Sequence, residues 1–302
     1  MSPSTRRQRT CNHRTRVLLD TLLKQLLQDE TQVLEDGHLS LDGYNDITHI
    51  IDYDFEDLSM PSSASKFPPE VLFEPMVEVI GQSRDTSVLA RPFPDLPEEP
   101  TRFDLMDSII MLCDFIVDYT DTCVFSPPAK LRKIFLPCPI YLDLRNQGCY
   151  PDDRPPWAVE VYLEPVPEQG VVFPHLTILA LQPKAGWEHE ILYGELIALV
   201  SAMRSRAFQV KIDTKKEQEE FLDAMDVERK TYPYLFPEEE TFPTLLLSAV
   251  EPRHARIIYG CMEGRRLVIR QSKLYSFVRG NDSPVEFFAS LWLSRPVVRD
   301  SP

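Results

Sequence analysis

Asp114 and Asp118 stand four residues apart in the segment 102–119, which carries helical periodicity. On a helix, residues so spaced share a face, so their carboxylates could meet one divalent cation. Asp107 and Asp121 fall close to the same stripe, opposite Ile109, Leu112, Phe115 and Ile116. A solvated acidic face explains the same pattern without a metal. Other chemistry-bearing residues are scattered. His175, His189 and His254 are isolated in sequence, and each needs a partner brought by the fold. Six cysteines (Cys11, Cys113, Cys123, Cys138, Cys149 and Cys261) include no CxxC pair, which argues against a zinc ribbon or a thioredoxin-type site. They read as buried free thiols. The chain has no GxSxG, HExxH, P-loop or GxGxxG motif.

Charge is segregated along the chain. The 302 residues carry a formal net charge of −15, which disfavours a nucleic-acid partner. Residues 29–60 hold ten acids and no Lys or Arg, with Tyr44, Tyr53 and Phe55 among them. Such a stretch suits docking to a basic protein partner, or a solvated loop region folded onto the core. Residues 251–273 carry six Lys or Arg and two acids. Here Arg256, Arg266 and Arg270 could take an anion or a phosphate backbone. They could equally neutralise the acidic segment from inside the molecule, and the large negative net charge favours that pairing. Residues 1–16 are basic, a targeting address or a solvated tail.

These groups must be positioned by a core. Hydrophobic residues make up 43% of the chain, an ordinary globular share, and 27 prolines against 10 glycines imply stiff connections. No run of 18 apolar residues exists, so a membrane span is not expected. Without a secretory-type apolar segment near its start, the chain is expected to be intracellular, cytoplasmic or nuclear. Leu19, Leu22, Leu23, Leu26 and Leu27 mark a helix over 15–34. Thr101 is a plausible cap for the helix at 102–119. Pro137 and Pro139 restrict 136–142 to an edge strand. Segments 157–164 and 176–182 read as strands joined by too short a link for a crossover helix, hence antiparallel. A helix follows at 187–204. Segment 214–225 is a charged helix, 244–250 a buried strand, and 256–262 with 265–271 a hairpin turning at Glu263-Gly264. A short helix at 284–293 closes the fold.

The expected fold class is α/β or α+β, a single mixed sheet flanked by helices, with an N-terminal helical and acidic extension. The expected organisation is a tail at 1–16, an extension with a proline-rich linker at 17–100, the main domain at 101–294, and a tail at 295–302.

The stretch WAVEVYLE, LTILALQPK and the following helix resembles the core of the PD-(D/E)XK nuclease superfamily. The resemblance covers about fifty residues and rests on the tripeptide Gln182-Pro183-Lys184. It implies that Glu160 or Glu164, with Gln182, would hold Mg²⁺ or Mn²⁺, and that Lys184 would stabilise the attacked phosphate or position water. Gln182 stands where the family has an acid, and the first acid is a glutamate. The segments WEHEILYGELIALVSAMRSR and HARIIYGCMEGRRLVIRQSKLYSF also resemble uncharacterised proteins of filamentous fungi. That likeness implies an accessory role, in some cases beside enzymes of specialised metabolism. Two functions therefore stand side by side: a non-enzymatic interaction or accessory protein with a protein partner, and a divergent metal-dependent phosphodiesterase.

Overall fold

The computed structural model describes residues 3–40, 44, 46–59, 71–78, 80, 94–124, 130–136, 144–150, 156–224 and 232–297. At its centre is β6 (Leu176–Ala185), buried along nine of its ten residues. A strand in the middle of a sheet covered on both faces is apolar throughout rather than alternating. Its neighbours are β5 (Trp157–Pro165), antiparallel, and β7 (Thr244–Glu251), parallel. Then come β8 (His254–Glu263) and β9 (Arg266–Gln271), each antiparallel to the strand before it. One outer strand is β1 (Thr48–Asp52), parallel to β9; the other is β3 (Leu131–Ile134), antiparallel to β5. Two short strands, β4 (Gln147–Gly148) and β10 (Tyr275–Ser276), add to β5 and β8. The result is one nine-stranded mixed sheet in an α/β fold. It is wider than the five strands expected. Separately, β2 (Phe73–Glu74) pairs with β11 (Arg295–Pro296), drawing part of the expected C-terminal tail into the fold.

The strands alternate between two apolar cores. On one face Leu179, Leu181, Leu247, Ile257 and Tyr259 pack against α2 (Arg102–Val124) and α5 (Val285–Trp292). On the other, Ile178, Ala180, Leu246, Ile258 and Ile269 pack against α3 (Tyr193–Ala207), and α1 (Pro3–Gln28) lies along α3. Helix α1 begins at Pro3, so residues 3–16 are helical rather than a tail, and it ends at Gln28, not at 34. Its Arg16 is buried and donates through Nε to the Ala207 carbonyl at 2.7 Å. The leucines at 19, 22, 23 and 26 fill the second core.

Helix α2 runs five residues past the expected end. Its start is as expected: the Thr101 hydroxyl accepts from the Asp104 N–H at 3.2 Å, and Asp104 accepts from the Thr101 N–H at 2.8 Å. The small helix α4 (Lys215–Asp223) is capped in the same way by Thr214 and Glu217. The hairpin β8–β9 turns one residue later than expected, at Gly264-Arg265, with Gly264 at φ +64°. A two-residue hairpin needs that left-handed conformation, which glycine adopts without steric cost. The expected edge strand at 136–142 is not seen where the structure describes it, at Leu136; 137–143 lie outside the described residues, and the described outer strand is β3.

Two local differences matter for the site. Strand β6 does not end at Gln182 but continues through Pro183 and Lys184 to Ala185, with a register irregularity against β7 between Gln182 and Ala185. Proline lacks an N–H, so the ladder is interrupted there. Helix α3 starts at Tyr193, six residues later than expected. Gly194 in its first turn packs on β5 and β6 so closely that a Cβ would overlap Gln182 Oε1 and lie 2.6 Å from the Trp157 ring. Gly194→Ala is expected to cost about 1–3 kcal/mol, read from urea unfolding midpoints.

Candidate functional site

The four residues of the nuclease resemblance occupy three separate places. Gln182 and Lys184 lie on the α3 face near Trp157. The Gln182 Oε1 accepts from the Tyr150 hydroxyl at 2.7 Å. The Lys184 ammonium donates to the Glu35 carbonyl at 3.3 Å and lies 5.1 Å from the centre of the Tyr150 ring. Both side chains are buried. Glu160 is exposed and belongs to the opposite, α2 face. Partial desolvation, with repulsion from Asp114, raises its pKa above the usual carboxylate range.

Glu164 is on the α3 face but at the far end of β5. Residues at the Leu163 end of that strand face Thr177, whereas those at the Ala158 end face Leu181. At a rise of about 3.3 Å per residue, roughly 20 Å separates Glu164 from Gln182. Glu164 is clasped between two arginines, Arg132 Nε at 2.7 Å and Arg206 Nη1 at 2.6 Å. The expected convergence of these four groups is therefore absent. Among the described residues no three His, Cys, Asp or Glu side chains gather as ligands for a metal ion. Asp114 and Asp118 remain exposed on α2.

The expected basic trio also divides. Arg256 is fully buried and grips Glu195 with both ends of its fork: Nε meets Oε1 at 2.9 Å, and Nη2 meets Oε2. Its Nη1 donates to the carbonyls of Trp187 and Glu190 at 2.8 and 2.6 Å. Glu195 in turn accepts from the Leu192 N–H at 2.8 Å. This explains the late start of α3. Carbonyls that would continue a helix backwards, those of Trp187 and Glu190, are committed to an arginine 69 and 66 residues further along the chain. Arg270 pairs with Glu263 at 3.0 Å, within its own hairpin, and Arg266 is exposed. Contact between the basic hairpin and the acidic segment is instead made by the backbone of β1 along β9, and by Lys273, whose ammonium lies 2.8 Å from Glu56.

The surface groups suited to recognition gather where that contact ends. Strands β1, β6, β7 and β9 run the same way, and beyond the carboxyl ends of β1 and β9 lies a cleft of about 290 Å³. In open α/β sheets this end is where ligands are commonly held. Asp52, Tyr53, Asp54, Glu188, His189, Lys273 and Tyr275 line it, with Ser272. His189 adopts φ +67° in the loop that Arg256 fixes, and its Nδ1 lies 2.6 Å from Asp52 Oδ2. Lys273 is held above the ordinary lysine range by its hydrogen bond to Glu56, with Asp54 and Glu188 adding to the effect. Burial, then Glu56, raises the Tyr275 phenol, so it stays protonated and donates to Glu56 at 3.1 Å. The Ser272 hydroxyl is occupied, donating to the Lys273 carbonyl and accepting from the Ile257 N–H. The cleft thus offers carboxylates and tyrosine rings, and its one lysine is paired.

Of the other histidines, His175 is enclosed by Phe73 and Phe173. Burial drives its pKa down to about 3, and the nearby Arg206 charge acts in the same direction. The unfolded chain takes up a proton below pH ~6.5 that the fold refuses. The stability contribution is therefore complete above that pH and falls by about 1.4 kcal/mol per unit on acidification towards pH 3. Urea midpoints at pH 7.5 and 5.0 should differ less in His175→Leu than in the parent.

Sequence reasoning saw the acids of 29–60 and the lone His189 but could not join them, because the strand that does so is five residues long. No helix among the described residues is long and apolar enough to cross a membrane. No protein-family model, curated protein or solved structure matches this chain.

Proposed function

We propose that this chain works by binding a protein partner rather than by catalysis, and that its contact surface is the acidic end of the sheet around β1 and the cleft. The supporting observation is the division of charge. Glu164, Lys184, Glu195, Arg206 and Arg256 are all buried in internal contacts. Asp52, Asp54, Glu56 and Glu188 sit exposed around one cleft. Surface acids of one sign steer and orient a basic partner.

The test uses a labelled lysine octamer and a glutamate octamer against the purified chain. The lysine octamer should bind, weaken steeply between 50 and 300 mM salt, and lose most of its affinity to Asp52→Asn/Asp54→Asn/Glu188→Gln. Equal binding of both octamers, or no binding of either, would overturn the reading. So would Mn²⁺- or Mg²⁺-dependent phosphodiester turnover abolished by Lys184→Ala.

A further inference from the structure

Strand β1 is the outer strand of the sheet, and among the described residues no strand lies beyond it. Its hydrogen bonding shows which groups face outwards. The Ile47 carbonyl accepts from the Leu267 N–H, and the Tyr53 N–H donates to the Gln271 carbonyl. In a parallel ladder every second residue bonds to the neighbour, so residues 47, 49, 51 and 53 serve β9. The backbone groups of Thr48, Ile50 and Asp52 are directed the other way. The Thr48 N–H is taken by the Tyr44 carbonyl at 2.8 Å. Thr48 itself is buried, so among the described residues the open row is the N–H and C=O of Ile50 and Asp52.

Proteins ordinarily blunt such an edge with lysine, proline or a bulge. Thr48–Asp52 reads THIID, with two β-branched isoleucines, no lysine, no proline and an unbroken register. Ile51 is 36% exposed, an apolar seat for one side chain of an added strand. Charge selects the occupant. Asp46, Asp52, Asp54, Glu56 and Asp57 flank the edge and are exposed, and 44–59 contain no Lys or Arg. A second copy would bring the same acids against these, on a chain of net charge −15.

Resting on the reading above, we infer that β1 takes an extended basic peptide segment of a partner protein as an additional strand. The segment lies along the accessible part of the strand, His49–Asp52, with alternate Lys or Arg side chains towards Asp52 and Asp54 and an apolar side chain over Ile51. Backbone pairing supplies the binding mode, and the acids supply the choice of partner.

The experiment measures fluorescence anisotropy of a labelled Lys-Val-Lys-Val-Lys-Val-Lys-Val peptide. It is compared with the same peptide N-methylated at alternate residues in each of the two phases, and with the lysine octamer. The unmethylated peptide should bind at least tenfold more tightly than one N-methylated form and than the octamer. Ile50→Pro removes an outward N–H and spares the β9 ladder, so it should abolish that advantage while leaving octamer binding unchanged. If Ile50→Pro lowers the melting temperature, the two N-methylated peptides on the parent chain decide alone. Equal binding of all the cationic peptides, still lost on Asp52→Asn/Asp54→Asn, would overturn strand addition and leave the acidic surface standing. No binding of any of them would overturn both. Sedimentation showing a dimer dispersed by Ile50→Pro would assign the edge to a second copy and also overturn the inference.

Discussion

Arg256→Leu is expected to destabilise the fold by about 3–5 kcal/mol, because it strands the Glu195 carboxylate in the core with no counter-charge. Glu195→Leu should cost a similar amount, for the same reason with the signs reversed. In the double variant neither charge is buried, so its loss should fall short of the sum of the singles by 3 kcal/mol or more. It should not return to the parent value. The carbonyls of Trp187 and Glu190 and the Leu192 N–H lose their partners as well, at about 1–3 kcal/mol for each left dry. Urea unfolding of the four proteins closes the cycle. Additive losses would mean that the pair contributes nothing as a pair. A local effect should accompany the global one: amide exchange at Glu188 and His189 should accelerate in Arg256→Leu, since that arginine holds the loop carrying both into the cleft.

Glu164→Ala carries the second large effect, and it separates two roles for one side chain. The Arg206 guanidinium is 1% exposed and pairs with the Glu164 carboxylate, while Gln209 and the Phe173 carbonyl also accept from it. Removing that anion should cost about 3–5 kcal/mol. The loss should be the same in EDTA as in Mg²⁺, because the partners are arginines. Glu160→Ala, at an exposed position on the other face, should stay within about 0.5 kcal/mol of the parent. A stability loss in Glu164→Ala that appears only with divalent cations present would return Glu164 to the role of metal ligand.

The legible parts of this fold are those whose signal is local. The apolar run of β6, the alternation of β5 and β9, and the capping residue Thr101 are each contained within a few residues, and each of these elements starts within one residue of where its signal places it. The missed parts depend on partners far along the chain. THIID is too short, and too closely followed by acids, to declare itself a strand; the edge of β9 makes it one. The segment 187–192 has helical periodicity, yet Arg256 takes its carbonyls. Glu160 and Glu164 look equivalent on one strand. A register irregularity between Val159 and Val161, and arginines from β3 and α3, put them to different uses. The same blindness applies to the cleft, whose lining comes from three separate stretches of chain.

The pairing of β1 with β9 also sets an order of events during synthesis. The ribosome delivers Thr48–Asp52 about 220 residues before its template strand, a delay of roughly 10–45 s at 5–20 residues per second. Helix α1 waits similarly for α3, and the sheet can close only when the last third of the chain has emerged. Throughout that interval a β-prone segment is without its native neighbour, which is the condition in which nascent chains aggregate. The acids on both sides of THIID have a use at that stage, before any partner is met: their mutual repulsion keeps one nascent chain from templating on the next. Neutralising them should therefore lower the soluble yield on expression more than the stability of the finished protein.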